Sequence, residues 1–300
     1  MATATISKSA TANLDEHVRR RPFVLVLFSG GATVVGGLIV VAVTLAALLA
    51  PWIAPHDPNF QNLPLAFKPP SWGAGGDPAY FLGTDNLGRD IFSRIIWGAR
   101  VAGMVGLSAV AIGGIIGVSL GIIAGYFGGL ADDIIARVAD IQLAFPAVLL
   151  AIAVVGVIGP SLLTVIATIG VTGWVQYVRV VRAEAISLRE REFVIAAVAT
   201  GSSRARILAR HILPNIASSI TVLATFEVAR AIILESALSF LALGVPPGVP
   251  SWGTMLADGR QYLDTAWWLG LFPGLAISFT VLGVNLFGDG LRDALDPRAR

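Results

Sequence analysis

The sequence contains no cysteine, which excludes disulfide scaffolds, zinc ribbons, iron–sulfur clusters and thiol catalysis. Its three histidines, His17, His56 and His211, lie too far apart to form an HExxH pair of metal ligands. Its two lysines, Lys8 and Lys68, do not complete the Gly-x-x-x-x-Gly-Lys-Ser/Thr loop that binds ATP phosphates. We therefore expect no catalytic residue, no metal site and no cofactor in this chain.

Charge is also scarce. Charged residues make up 13% of the 300 residues and hydrophobic residues 55%, whereas soluble domains hold about 25% charged residues. A chain with so little charge cannot cover its surface in water, so we expect a lipid bilayer around most of it. The formal net charge of +2 is too small to indicate nucleic acid binding.

Long uncharged runs predict membrane helices, since a helix of roughly 20 residues crosses about 30 Å of hydrocarbon. The third run, 141–178, is too long for one crossing, and Gly159-Pro160 followed by Ser161 predicts a turn that divides it. The sequence therefore predicts an all-α polytopic membrane protein with six transmembrane helices. The predicted spans are Val24–Leu49, Val101–Ala131, the two halves of 141–178, Ile216–Leu238 and Ala266–Phe287.

Arginine and lysine predict the orientation, because they concentrate in cytoplasmic segments. With the N-terminus inside, fifteen of them fall in inside segments and Arg230 falls within a span. The five in outside segments are Lys68, Arg89, Arg94, Arg100 and Arg260. Both termini are therefore expected to be cytoplasmic, in a multi-pass protein of the cell inner or plasma membrane.

This topology divides the chain into segments. They are a cytoplasmic N-terminal tail (1–21), a first transmembrane helix (22–50), an extracytoplasmic loop (51–100), a membrane core (101–287) and a cytoplasmic C-terminal tail (288–300). The core includes a cytoplasmic loop (179–214) and an extracytoplasmic loop (239–265). Residues 89–100 place apolar side chains on one face and predict an interfacial helix. Two interpretations of the outer segments stay open. They either dock a partner and contribute to gating, or they only connect the membrane helices.

Glycines recur at every fourth residue of the second span, on one helical face. They are Gly113, Gly117, Gly121, Gly125 and Gly129. Small residues at this spacing let two membrane helices approach closely, which predicts a helix-packing face. The sequence does not decide whether the partner helix belongs to this chain.

Three charges interrupt the fifth span: Glu227, Arg230 and Glu235. Charges in the bilayer are costly unless paired or hydrated. Glu227 and Arg230, three residues apart, either line a polar pathway or form a neutralising pair that fixes helix packing. For Glu235, expected near the outer surface, a structural role is favoured.

The most polar inside segment is Arg179 to Pro214. Residues 192–200 have helical composition, Gly201 breaks the helix, and Ser202 or Ser203 can cap a new helix that Pro214 stops. This segment is either a solvated positive loop or a charged helix pair presented to a soluble partner.

The run Glu192-Phe193-Val194-Ile195-Ala196-Ala197-Val198-Ala199-Thr200-Gly201 resembles the EAA loop of ABC importer membrane subunits. Three further segments resemble the peptide and nickel permease branch of that family. They are Leu82-Gly83-Thr84-Asp85-Asn86-Leu87-Gly88-Arg89-Asp90, then Glu235-Ser236-Ala237-Leu238-Ser239-Phe240-Leu241 with Gly244 and Ser251-Trp252-Gly253, and the closing Asp296-Pro297-Arg298. The resemblance covers about residues 20–300 and is greatest to C-type permeases of dipeptide or oligopeptide importers.

The resemblance implies a type I ABC importer permease fold and a non-enzymatic transport subunit. Its implied partners are a second, B-type permease in a heterodimer, one or two cytoplasmic ATPase subunits that hydrolyse ATP, and an extracellular substrate-binding protein. The residues implied to couple to the ATPase are Glu192, Ala196, Ala197, Gly201, Arg204, Arg206, Arg210, His211 and Pro214.

One position departs from the family pattern, because Ile195 stands where the EAA motif has its glutamate. We expect shape, the neighbouring arginines and Glu192 to compensate. Peptide is the expected substrate, with nickel chelates, glutathione and other small solutes as alternatives. The rival of another class is a secondary transporter that uses an ion gradient through Glu227 and Arg230.

Overall fold

The computed structural model describes residues 30–295 and contains ten α-helices over that range. The predicted N-terminal tail, the start of the first span and the motif at 296–298 lie outside the described residues. The helices are α1 (Gly31–Ile53), α2 (Ile91–Phe127), α3 (Gly129–Leu143), α4 (Ala147–Ile158), α5 (Leu162–Arg189), α6 (Glu192–Ala199), α7 (Arg204–Ile207), α8 (Leu213–Phe240), α9 (Trp252–Gly259) and α10 (Trp268–Leu295). Residues 30–295 form no β-strand beyond one bridge between Thr84 and Asp90.

Five helices are long and apolar enough to cross a membrane: α1, α2, α5, α10 and the continuous helix Arg204–Phe240, which ends with α8. Helices α3 and α4 meet at a bend of 87° and give a sixth crossing when they are counted together. The prediction of an all-α protein with six spans is confirmed in this form. The first span differs in its end, since α1 continues through Pro51 to Ile53 rather than stopping at Leu49.

The predicted bounds of the third span were wrong. It was expected to start at Ile141, but α3 already begins at Gly129 and ends at Leu143, and α4 starts only at Ala147. Pro146 explains the break, because a residue that precedes proline is driven out of the helical region. The predicted division at Gly159-Pro160 is confirmed: Gly159 has φ +100°, and the Ser161 hydroxyl caps α5 by accepting from the Thr164 amide at 3.0 Å.

The predicted interfacial helix at 89–100 was also wrong, because these residues belong to α2. Asp90 caps the helix by accepting from the Ser93 amide at 2.9 Å, and no proline follows that would end it. Ile91 and Ile96, which belong to the apolar face of the predicted interfacial helix, are buried within the chain. At 37 residues α2 is about 55 Å long, so it extends well beyond a hydrocarbon core of about 30 Å.

Pro214 does not stop a helix, contrary to expectation. Helix α7 continues through a π-helical turn (Leu208–Ile212) into α8, and the Leu213 amide donates to the Leu208 carbonyl five residues back. Pro214 lies in the first turn of α8, where proline fits because the amides there need no helical partner. The wider turn accommodates the proline without a break.

Helices α2 and α5 form the central pair, and α8 packs beside both. Helix α1 lies antiparallel against α10, where a Cβ added at Gly36 would stand 2.6 Å from the Phe287 nitrogen, and Gly290 lies against Thr33. These contacts place both ends of the described chain at one end of the bundle. Helix α6 lies there too, because Glu184, near the end of α5 that leads into α6, lines a cavity with Arg292 and Leu295 of α10. We call this the α6 end. The opposite end, the α9 end, carries residues 54–90, α9 and residues 241–267.

Candidate functional site

Helix α6 projects from the α6 end as a two-turn helix with a defined stop. The Gly201 amide donates to the Val198 carbonyl and the Ser202 amide to the Ala197 carbonyl, each at 3.0 Å. This is the Schellman pattern, which requires a left-handed residue, and Gly201 has φ +77°. Ser203 then caps α7 by accepting from the Arg206 amide at 3.4 Å. The sequence predicted this break and this cap.

The two faces of α6 differ. Val194 is fully buried and packs with Val181, Ala185, Ile207 and other residues at the ends of α5 and α8. The other face is apolar and open to the outside. Its residues are Phe193, Ile195, Ala196, Val198 and Ala199, with Val198 56% exposed. Ile195, which replaces the glutamate of the EAA motif, is equally exposed and lies on this apolar face.

The seven arginines of 179–214 fall into two groups. Three are held within the chain: Arg179 by Asp140, Arg182 by Asp132 in a two-bond pair, and Arg189 by the Gly125 carbonyl at 3.2 Å and by Glu190. The other four are exposed and form no ion pair within residues 30–295. They are Arg191, Arg204, Arg206 and Arg210.

The remaining coupling residues surround this surface. Glu192 and Pro214 are exposed, and Ala197 is half-buried between the two faces of α6. His211 is half-buried, with its ring 6.2 Å from that of Phe193, and the Arg204 guanidinium stands 5.8 Å from the Phe127 ring. The α6 surface therefore consists of an apolar centre with free arginines around it, which is the composition of a protein interface.

The glycines of α2 face α5 of the same chain. A Cβ at Gly117 would stand 2.4 Å from the Trp174 carbonyl oxygen, and at Gly125 it would stand 2.6 Å from that of Arg182. Gly113 and Gly121 also face α5, where an added Cβ would stand 3.0 Å and 2.8 Å from the nearest atoms. Gly129 departs from the prediction, because α2 ends at Phe127 and nothing lies within 4 Å of a Cβ at Gly129.

The charges of the fifth span lie on α8. The Arg230 Nε donates to Glu227 Oε2 at 2.7 Å, and the two side chains are 32% and 9% exposed. Glu235, for which a structural role was favoured, is buried, with 1% exposure, and accepts from the Ser239 hydroxyl at 2.7 Å. It fixes the turn after α8 rather than facing solvent.

Sequence reasoning missed a charged cluster at the α9 end. Asp85 accepts from the Leu87 and Arg89 amides, from Arg89 Nε at 2.6 Å, and from Arg94 Nη1. Asp258 of α9 approaches both arginines, at 3.2 and 3.6 Å. Asp85, Arg89 and Arg94 are buried. The spacing of Asp85 and Arg89 hinted at a turn, but Asp258 lies too far along the sequence for any local pattern to reveal it.

Among residues 30–295, no group of three histidines, aspartates or glutamates is placed to hold a metal ion.

Two tryptophans close the α9 end. Trp252 donates from Nε1 to the Ile95 carbonyl at 2.9 Å, and Trp268 donates from Nε1 to the Thr84 carbonyl at 3.1 Å. The two ends thus differ in kind: one is sealed by internal bonds, and the other presents an open surface.

Comparison with known proteins agrees with this architecture. Residues 117–300 match the family model described as binding-protein-dependent transport system inner membrane component, and residues 27–70 match the N-terminal TM domain of oligopeptide transport permease C. The di/tripeptide transport system permease protein of Pseudomonas aeruginosa is 43% identical over 91% of this chain and 90% of its own length. The oligopeptide transport system permease protein of Bacillus subtilis is 41% identical over 91% and 87%.

The dipeptide transport system permease protein of Haemophilus influenzae is 43% identical over 89% of this chain and 90% of its own length. Matches of this extent and identity establish the family and a multi-pass location in the inner membrane. The chain belongs to the family of binding-protein-dependent transport system inner membrane components, the permease subunits of ABC importers.

Proposed function

We propose that this chain forms one half of the path by which an ABC importer brings di- or oligopeptides into the cell. The relatives named above are permeases of di/tripeptide, dipeptide and oligopeptide transport systems. Their matches extend over about nine tenths of both chains, so they cover the spans together with both ends of the bundle.

The α6 end is cytoplasmic in this proposal, and the described ends of the chain lie there with it. The excess of arginine and lysine in the segments of this end supports the assignment. Residues 179–214 are then a cytoplasmic loop, and 51–100 and 239–265 are extracytoplasmic. The tails 1–21 and 288–300 are assigned to the cytoplasm on the same ground.

The open surface of α6 carries the proposal of coupling. An exposed apolar helix would be unfavourable in water unless a partner covered it. We assign this partner as a cytoplasmic ATPase subunit, which hydrolyses the ATP that this chain has no loop to bind. The apolar face of α6 enters a groove of the ATPase, and Arg204, Arg206 and Arg210 contact its rim.

Two further partners complete the importer. A second permease of the B type forms a heterodimer with this chain around the path, and an extracellular substrate-binding protein delivers peptide to the α9 end. Buried ion pairs and the two tryptophan bonds make that end rigid enough to receive a docked protein.

Two valines of α6 test the coupling. Val198 is 56% exposed and Val194 is 1% exposed. We expect Val198→Asp to reduce co-purification of the ATPase at least about tenfold without changing thermal unfolding of the permease, because it alters only the surface. Val194→Ala should lower the unfolding temperature while the folded fraction still binds the ATPase. An ATPase bound normally to the Val198→Asp complex would refute the coupling role of α6.

Transport itself is tested in cells that lack their own peptide permeases. The full importer should take up labelled dipeptide, and nickel or glutathione should not compete. Uptake should stop when the ATPase subunit is omitted. Uptake that persists without the ATPase but follows an ion gradient would support the secondary transporter instead.

A further inference from the structure

Arg230 presents a charged side chain at an open surface of a membrane-spanning helix. Its side chain is 32% exposed, although it lies well within α8. A guanidinium that faced hydrocarbon at this depth would be strongly unfavourable. The exposed edge of Arg230 therefore faces a protein partner or a hydrated path.

The residues that share its face define a continuous stripe along α8. They follow alternate spacings of four and three residues, which keeps them on one side of the helix, and none of them is buried. We call this stripe the open face of α8; it comprises Phe226, Arg230, Ile233, Ala237 and Phe240. At the α6 end it continues into a cavity of about 450 Å³ between α5, α8 and α10, which Phe226 also lines.

Arg230 retains unused hydrogen-bonding capacity. Its Nε donates to Glu227, but its remaining N–H donors have no acceptor among the residues that the structure describes. One terminal nitrogen, Nη2, lies against Gly173 of α5, where an added Cβ would stand 2.9 Å from it. The guanidinium is thus held in place by α5 and by Glu227 while part of its fork stays free.

Tyr177 adds a second unused donor beside Arg230. Its side chain is 1% exposed, and its hydroxyl forms no hydrogen bond within residues 30–295. Tyr177, Glu227 and Arg230 line the same slot between α2, α5 and α8, which is too narrow for a water molecule in this conformation. A buried hydroxyl without an acceptor is unfavourable, so a state in which the slot opens and an acceptor enters would satisfy it.

We propose that Arg230 binds the C-terminal carboxylate of the transported peptide, with Tyr177 as a second donor when α5 and α8 separate. This inference rests on the peptide import proposed above. A guanidinium fork matches a carboxylate with two parallel hydrogen bonds. Glu227 already neutralises Arg230, so a permanent carboxylate from a partner subunit would leave an excess negative charge in the membrane. A zwitterionic peptide carries its own ammonium group and adds no net charge.

The test compares uptake of alanyl-alanine with uptake of its C-terminal amide by the complete importer. We measure the ratio of the two rates for the wild type and for Arg230→Gln, Arg230→Lys and Tyr177→Phe. The binding protein is the same in every complex, so its own selectivity cancels when the ratios are compared. Ile233→Ala, on the open face one turn away, is the matched control.

We expect the preference for the free carboxylate to fall about tenfold in Arg230→Gln, as for loss of a charged hydrogen bond. In Arg230→Lys the preference should fall less, because lysine keeps the positive charge but lacks the guanidinium fork. Tyr177→Phe should show a smaller loss, and Ile233→Ala none.

If the Arg230 variants lose uptake of both substrates equally, so that the ratio of the two rates is unchanged, the inference is overturned and Arg230 is assigned to packing. The inference is also overturned if Arg230→Gln releases the second permease subunit while the ratio stays constant, because Arg230 would then pair with an acid of that subunit. If the wild-type importer takes up neither dipeptide, peptide import itself fails, which is a distinguishable result.

Discussion

The two ends of this molecule both carry clustered arginines, but the arginines have opposite surroundings. At the α9 end, Arg89 and Arg94 are buried and share Asp85 and Asp258. At the α6 end, Arg206 and Arg210 are exposed and have no ion-pair partner in residues 30–295. The number of arginines therefore does not identify a docking surface. A docking surface is indicated by exposed arginines that have no acidic partner among the described residues.

This difference assigns different tasks to the two ends. Ion pairs and tryptophan bonds at the α9 end join α2, α9, the start of α10 and the 54–90 segment. The α6 end leaves apolar and basic groups for another molecule to complete. A substitution should therefore act on stability at the α9 end and on association at the α6 end.

The largest effect should come from Asp85→Asn, which removes the negative charge between two buried arginines. Breaking a buried charged network in this way costs about 3 kcal/mol or more. We expect the unfolding temperature of the purified permease to fall by several degrees, measured by scanning calorimetry in detergent. ATPase binding by the folded fraction should not change, because the variant lies at the far end.

Asp258→Asn is the control for this experiment. The Asp258 side chain is 42% exposed, so solvent screens its pairs with Arg89 and Arg94, and its loss should cost about 1 kcal/mol or less. Equal destabilisation by the two variants would contradict the view that burial makes the Asp85 pairs important.

Next in size is Gly117→Ala, which tests the α2–α5 contact that links the two ends. An added Cβ would stand 2.4 Å from the Trp174 carbonyl oxygen, so a backbone must move, at a cost of about 1–3 kcal/mol. Gly103→Ala, on the same helix with nothing within 4 Å, should leave stability unchanged or raise it by about 0.5–1 kcal/mol. Similar unfolding temperatures for the two variants would show that the close approach is not needed.

Much of the fold could be predicted from local sequence. Uncharged runs locate the spans, because a membrane imposes a length and excludes charge. The turn at Gly159-Pro160 and the stop of α6 at Gly201 were predictable because each depends on the backbone freedom of a few neighbouring residues. Composition identified residues 179–214 as the most polar inside segment, but it did not predict which of the arginines would lack a partner.

Features that depend on distant residues could not be predicted. Arg94 was assigned only to an outside segment, and its burial could not be predicted because Asp85 and Asp258 approach it through the fold. Residues 132–140 were not assigned to a helix, since Asp132 interrupts the uncharged pattern; Arg182 of α5 pairs with Asp132 in the structure. Pro214 was expected to end a helix, and only the π-helical turn before it explains why α8 continues.

A smaller effect is expected at Gly201, where the shape of the α6 surface depends on one dihedral. Gly201 has φ +77°, which valine adopts with a strain of about 1–2 kcal/mol and asparagine adopts far more readily. No neighbour lies within 4 Å of a Cβ there, so strain is the only difference. Gly201→Val should weaken ATPase co-purification severalfold and lower the unfolding temperature slightly, whereas Gly201→Asn should change both quantities less.

The smallest effect should separate two exposed arginines of the α6 end. Arg179 pairs with Asp140 at 3.2 Å, whereas Arg206 has no acidic partner in the described part of the chain. We expect Arg206→Gln to slow ATPase association about twofold to fivefold in low salt and to reduce its dependence on ionic strength, because a free charge at an interface rim steers encounter. Arg179→Gln should leave both quantities unchanged, because its charge is already satisfied within the chain. Stopped-flow association at two salt concentrations measures both, and equal responses of the two variants would remove the distinction between internally paired and free arginines.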